Sequence, residues 1–107
     1  MRALFLAGFG LIAAGVAHAQ APVPATCSRD LFQNEGGMQR ELTRLRAVGT
    51  ASLPEQCRVW REHVGFLQKA RGVFATCQTG ARREQNVRQM DESLAEYRVL
   101  LADRCRR

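Results

Sequence analysis

Ser52 to Cys77 reads SLPEQCRVWREHVGFLQKARGVFATC, and this stretch decides the fold. Ser52-Leu53-Pro54-Glu55 has the form of a capping box, with Ser at the cap, Glu three residues on and Pro in the first turn. A helix is expected from Leu53 to about Gln78. Cys57, Trp60, Val64, Leu67 and Phe74 form one apolar stripe at about 100° per residue, and Val59, Phe66, Val73 and Cys77 form a second beside it. Together they cover about half of the circumference. A helix patterned this way packs against two neighbours at once.

The neighbours are legible on either side. Upstream, Cys27, Leu31, Met38, Leu42 and Leu45 fall on one narrow face of a first helix running from about Cys27 to Val48, with Thr26 or Ser28 at its cap. Gly36-Gly37 interrupts it, and paired interior glycines cost roughly 1 kcal/mol each, so a break is expected there. Such a break would leave a stapled helical hairpin plus a shorter first helix. Downstream, Gly80 is expected to take a left-handed cap conformation, and a third helix follows from about Arg82 to Cys105. Its core stripe is Val87, Met90, Leu94, Tyr97, Leu101 and Cys105. Strand signals are absent. Short connections force antiparallel neighbours, so the fold class is all-α: a small up-down-up three-helix bundle with the second helix in the middle.

Four cysteines allow three pairings. Cys57 and Cys77 lie 20 residues apart on one helix, about 30 Å, whereas a disulfide needs Cα atoms within about 7 Å. Cys27 and Cys57 begin consecutive antiparallel helices and so sit at opposite ends. What remains is Cys27 to Cys77 and Cys57 to Cys105, one staple at the open end of each hairpin. Each closes a loop of about 50 residues, which the chain-entropy estimate puts at roughly 4 kcal/mol. Zinc ligand pairs come two to four residues apart, and no two cysteines here are closer than 20, so no metal or other cofactor is expected.

The first residues address the chain. Met1-Arg2, the apolar run ALFLAGFGLIAAGVA (Ala3 to Ala17) and Ala17-His18-Ala19 read as a secretory signal peptide cut after Ala19. Residues 20–26 then form an extended N-terminal segment and residues 27–107 a disulfide-stapled helical domain. A periplasmic or secreted protein follows, in a compartment where disulfides persist.

The full chain carries 16 basic and 10 acidic residues, a formal net charge of +6, and every basic residue but Lys69 is arginine. Such a surface attracts anions. Arginines mixed with Glu and Asp along all three helices read as solvated faces rather than one stripe. Once the leader is removed His63 is the sole histidine, and it is expected to be partly buried with a hydrogen-bonding partner. Arg71 is expected to lay its stem on the core with its head in water, with an inter-helix salt bridge as the sharper alternative. Trp60, Tyr97, Met38 and Met90 are packing residues first. Asp91, Glu92 and Glu96 read as a solvated acidic patch.

No catalytic constellation emerges. The expectation is a small exported helical binding or interaction protein, non-catalytic and suited to a stress-related role. Alternatives are a basic envelope-surface protein binding anionic polymer or lipid headgroups, and an inhibitor of or accessory to an exported enzyme. The expected partner surface is Arg58, Arg61, Gly65, Gly72, Val59, Phe66 and Val73 on the second helix, facing an unknown protein or, in a homodimer, a second copy. The compartment and the lack of exposed reader residues argue against nucleic acid.

Overall fold

Three helices in alternating direction make up the computed structural model, which describes residues 23–106: α1 (Cys27–Ala47), α2 (Leu53–Cys77) and α3 (Gly80–Arg104). The proposed leader lies outside the described residues. A single 3₁₀ turn, Val48–Thr50, continues α1, and an extended Ala51 and Ser52 hand the chain to α2. Gln78 and Thr79 are extended, and Gly80 opens α3 at φ +63°, the left-handed conformation that glycine adopts without a Cβ penalty. No helix among the described residues is long and apolar enough to cross a membrane.

Both disulfides pair as helix geometry requires. Cys27 bonds Cys77 with Cα atoms 5.2 Å apart, and Cys57 bonds Cys105 at 5.8 Å. The two staples stand at opposite ends of the domain, and α2 carries one half of each.

Two local expectations are corrected. Ser52 occupies the N-cap with extended backbone, but its side chain makes no capping bond. Glu55, the other half of the expected box, instead accepts hydrogen bonds from Arg58, because a guanidinium one turn away competes for the carboxylate. Nor does Gly36-Gly37 break α1. The helix runs through both, and the bare Gly37 makes room for Phe66: a Cβ built there would lie 2.7 Å from the ring's Cε2. What Gly37 loses in helix propensity it regains as close approach between α1 and α2.

The apolar core belongs mainly to α2 and α3. Leu67, Ala70, Met90 and Leu94 form its buried cluster, with Met38, Val64, Phe66, Phe74 and Tyr97 packed against it. Fully burying side chains such as Leu67 and Leu94 contributes about 2 kcal/mol each. Across the same interface Arg71 reaches Asp91 with two bonds, Nε to Oδ1 at 2.5 Å and a terminal nitrogen to Oδ2 at 3.2 Å. The Arg71 head thus stays exposed, as expected, and is also anchored on α3, since Asp91 stands level with it on the neighbouring helix. Asp91 leaves the expected acidic patch for this bond.

α1 meets α2 differently. Its buried residues are Cys27, Asn34, Gly37 and Glu41, and none of its leucines is among them. Asn34 Nδ2 donates to the Ala70 carbonyl at 3.1 Å, and Glu41 Oε2 lies 2.9 Å from His63 Nδ1. With Cys27–Cys77 these make a ladder: each step of seven along α1 is matched by a step of seven back along α2. Seven residues are close to two turns, so every rung falls on the same face. The disulfide fixes which face that is. The leucine stripe Leu31, Met38, Leu42 and Leu45 is centred roughly 50° away from the seam at 100° per residue.

Candidate functional site

That rotation produces the site. α1 and α3 both pack on α2 but stay more than 8 Å apart, Cα to Cα, along their whole length. Packed helices stand 8–10 Å apart axis to axis and bring their Cα atoms closer than this. The result is an open V with α2 at its base and a cavity of about 720 Å³ between the arms. Leu31, Met38, Leu42 and Leu45 line the α1 wall; His63, Leu67, Ala70 and Phe74 form the floor; Gln89, Met90, Ser93 and Tyr97 line the α3 wall. Leu42 is 44 % exposed, while Leu31, Met38 and Leu45 are half-buried. From Leu31 to Leu45 the groove runs 14 residues, about 21 Å at 1.5 Å per residue.

The seam residues frame one end of this floor. His63 is buried at 3 % exposure, with the Tyr97 ring edge-on at 4.6 Å and the Phe66 ring nearly parallel at 6.2 Å. Glu41 takes the Nδ1 side, so Nε2 makes no hydrogen bond among the described residues. The expectation of a histidine with a polar partner is met, and the partner is a carboxylate on another helix. Burial first, and then the Glu96 and Glu41 charges, push the Tyr97 phenol above its ordinary value.

From Glu41 a chain of charge leads out to solvent. Arg44 donates to Glu41 at 3.3 Å and to Glu62, and Arg58 bonds Glu62 at 2.8 Å and also Glu55. The Arg44 guanidinium holds the Glu62 carboxyl below its ordinary range, and Arg58 does the same for Glu55. These outer pairs are exposed and set the lateral fit of α1 on α2 more than they add stability.

A carboxylate-held imidazole is half of a nucleophile-activating arrangement. The other half is not assembled. All four cysteines are in disulfides. Ser93, the aliphatic hydroxyl lining the groove, sits level with Glu35 by the helix register, about 9 Å along the axis from His63. No group of His, Cys, Asp and Glu with metal-holding geometry occurs among the described residues.

The partner surface expected from sequence divides. Gly65 and Gly72 lie open on the back of α2, with nothing within 4 Å of a built Cβ, and Arg58 shares that face. Arg61 donates instead to the Cys105 carbonyl. Phe66 fills the space above Gly37, and Val73 is half-buried. Val59 is corrected: at 2 % exposure it is sealed between helices and belongs to no surface, because the second stripe is the one that α1 covers. The groove itself was missed from sequence. Its signal was the polar heptad Cys27-Asn34-Glu41 matched to Cys77-Ala70-His63, beside a leucine stripe left over.

No protein-family model matches this chain, and neither a curated protein nor a solved structure does.

Proposed function

We propose that this is an exported binding protein that works by association rather than catalysis, and that the groove between α1 and α3 is its receiving surface. One observation carries the reading: α1 packs on α2 through a polar ladder and turns its leucine stripe to an open cavity of ligand-binding size. A half-covered apolar stripe beside a cavity is costly in water, and contiguous apolar surface of this kind marks interaction sites. Two disulfides support it by holding the arms on α2 without an apolar α1–α3 interface. The leader-like first residues and the fully bonded cysteines support export.

The test is a neutral fluorescent probe, N-phenyl-1-naphthylamine, titrated against the oxidised protein beginning at Gln20. Enhanced emission that weakens about tenfold in Leu42→Arg supports the groove as the surface. No enhancement in the folded wild-type chain overturns it.

A further inference from the structure

We propose that the groove receives one amphipathic helix of a partner protein, whose apolar stripe is flanked on both sides by lysine or arginine. This rests on the groove being the receiving surface and names its occupant.

Shape comes first. Two antiparallel arms on a common base, held apart beyond packing distance, leave the vacancy of a fourth helix in a four-helix bundle. The floor and walls run about 21 Å, which four turns of helix fill. An incoming stripe at i, i+3, i+4 and i+7 would meet Met38 and Leu42 on one wall, Phe74 below, and Tyr97 on the other, above the buried Leu67 and Met90.

Charge gives the occupant its sign. Glu35 on the α1 wall and Glu96 on the α3 wall both line the groove and are exposed, while the one arginine in the lining, Arg82, stands in the first turn of α3 at the Cys27–Cys77 end, away from both. Neither makes a hydrogen bond or ion pair among the described residues. The register set by the two disulfides puts Glu96 level with Met38, three residues from Glu35, about 4.5 Å along the axis. The two carboxylates therefore stand on opposite walls near the middle of the groove, one for each flank of an inserted helix. Elsewhere in this arginine-rich chain the carboxylates that bridge two helices are already taken: Asp91 by Arg71, Glu62 by Arg44 and Arg58, Glu41 by Arg44 and His63. The positive net charge of the chain opposes a basic ligand at long range, so the preference comes from these two local groups.

The same observation weighs against a second copy. The α1 stripe includes Glu35 itself, so α1 of another copy laid in the groove would bring a further carboxylate to the two already there.

The experiment uses the oxidised protein and two synthetic 16-residue amphipathic helices with one leucine stripe, flanked by lysine in one and by glutamate in the other. Binding is read by fluorescence anisotropy. The lysine peptide is expected to bind about tenfold or more tightly than the glutamate peptide, and to displace N-phenyl-1-naphthylamine. Glu35→Gln and Glu96→Gln should each weaken it about two- to fivefold, and the double variant should bring the peptides near parity. Equal binding, or preference for the glutamate peptide, overturns the proposal. So does a protein that binds the probe but neither peptide, or one from which palmitate displaces the probe while the lysine peptide does not. Sedimentation as a dimer whose groove excludes the probe assigns the second copy as occupant and overturns it too. Absence of probe binding in a monomer strikes the groove reading itself and is thereby told apart.

Discussion

Glu41 on α1 and His63 on α2 meet at 2.9 Å, carboxylate Oε2 to imidazole Nδ1, two heptads along each helix from the Cys27–Cys77 bridge. A covalent tie at one end of the seam and a buried polar pair at the other fix the rotation of α1. His63→Ala removes the ring packed on Tyr97 and leaves Glu41 with Arg44 as its only partner. It should cost about 2–3 kcal/mol in urea unfolding, the range for a buried polar group stripped of its mate. The double variant Glu41→Leu/His63→Leu should recover most of that loss, since replacing both partners by apolar groups is nearly neutral. A double variant worse than the sum of the singles would speak against the ladder.

The two central glycines of α1 should respond with opposite signs. Gly37→Ala places a Cβ within 2.7 Å of Phe66 and forces the ring to move, an overpacking cost of about 1–3 kcal/mol that outweighs the gain in propensity of roughly 1 kcal/mol. Gly36→Ala meets only the Arg40 guanidinium at 3.4 Å and should stabilise by about 0.5–1 kcal/mol. Gly65→Ala and Gly72→Ala, with open space around them, should stabilise likewise and leave probe binding unchanged. Thermal melts rank all four, and a Gly37→Ala melt above wild type contradicts the close approach of Phe66.

The two disulfides should not be equivalent. α2 and α3 share an apolar core, whereas α1 is held mainly by its ladder. Cys27→Ala/Cys77→Ala should free α1, abolish probe binding and leave α2 and α3 protected in amide exchange. Cys57→Ala/Cys105→Ala should lower stability by a similar amount, up to about 4 kcal/mol, yet keep the groove. Equal loss of protection in α1 and α3 in both variants goes against this asymmetry.

Acid should act through the exposed ion pairs. The Arg71 guanidinium holds Asp91 below its ordinary 3.8, and Arg44 and Arg58 hold Glu62 and Glu55 below 4.5. A carboxyl depressed in the fold contributes stability that is complete above its unfolded value and fades as pH falls through the folded one. Melting temperature should therefore be level with respect to these pairs from pH 7 to about 5 and decline below about 4. Arg71→Gln removes the Asp91 share, so its melting temperature should fall less steeply between pH 4 and 2 than that of wild type. An unchanged acid slope contradicts the assignment.

Much of the fold was legible because helix geometry constrains it tightly. The 20-residue gap between Cys57 and Cys77 excluded one pairing, antiparallel topology excluded another, and the two broad stripes of α2 placed it in the middle. Hydrophobic periodicity failed on α1. It selects Cys27, Leu31, Met38, Leu42 and Leu45; Cys27 is on the contact face, but from there that face follows Asn34 and Glu41 and their partners instead of the leucines. Those partners, the Ala70 carbonyl and His63, lie 36 and 22 residues away, and no local pattern reveals them. The Arg71–Asp91 bond, 20 residues apart, was hidden for the same reason. Ser52 looked like half of a capping box because composition cannot show that Arg58 would win Glu55.

The rotation of α1 is the claim on which the groove depends, and methyl-resolved NMR with a soluble paramagnetic reagent measures it most directly. The account predicts strong relaxation of the Leu42 methyls, intermediate relaxation for Leu31, Met38 and Leu45, and protection of Leu67 and Leu94. Leu31, Met38, Leu42 and Leu45 methyls protected as fully as those of Leu67 and Leu94 would show the leucine face of α1 against α2, and the groove would not exist.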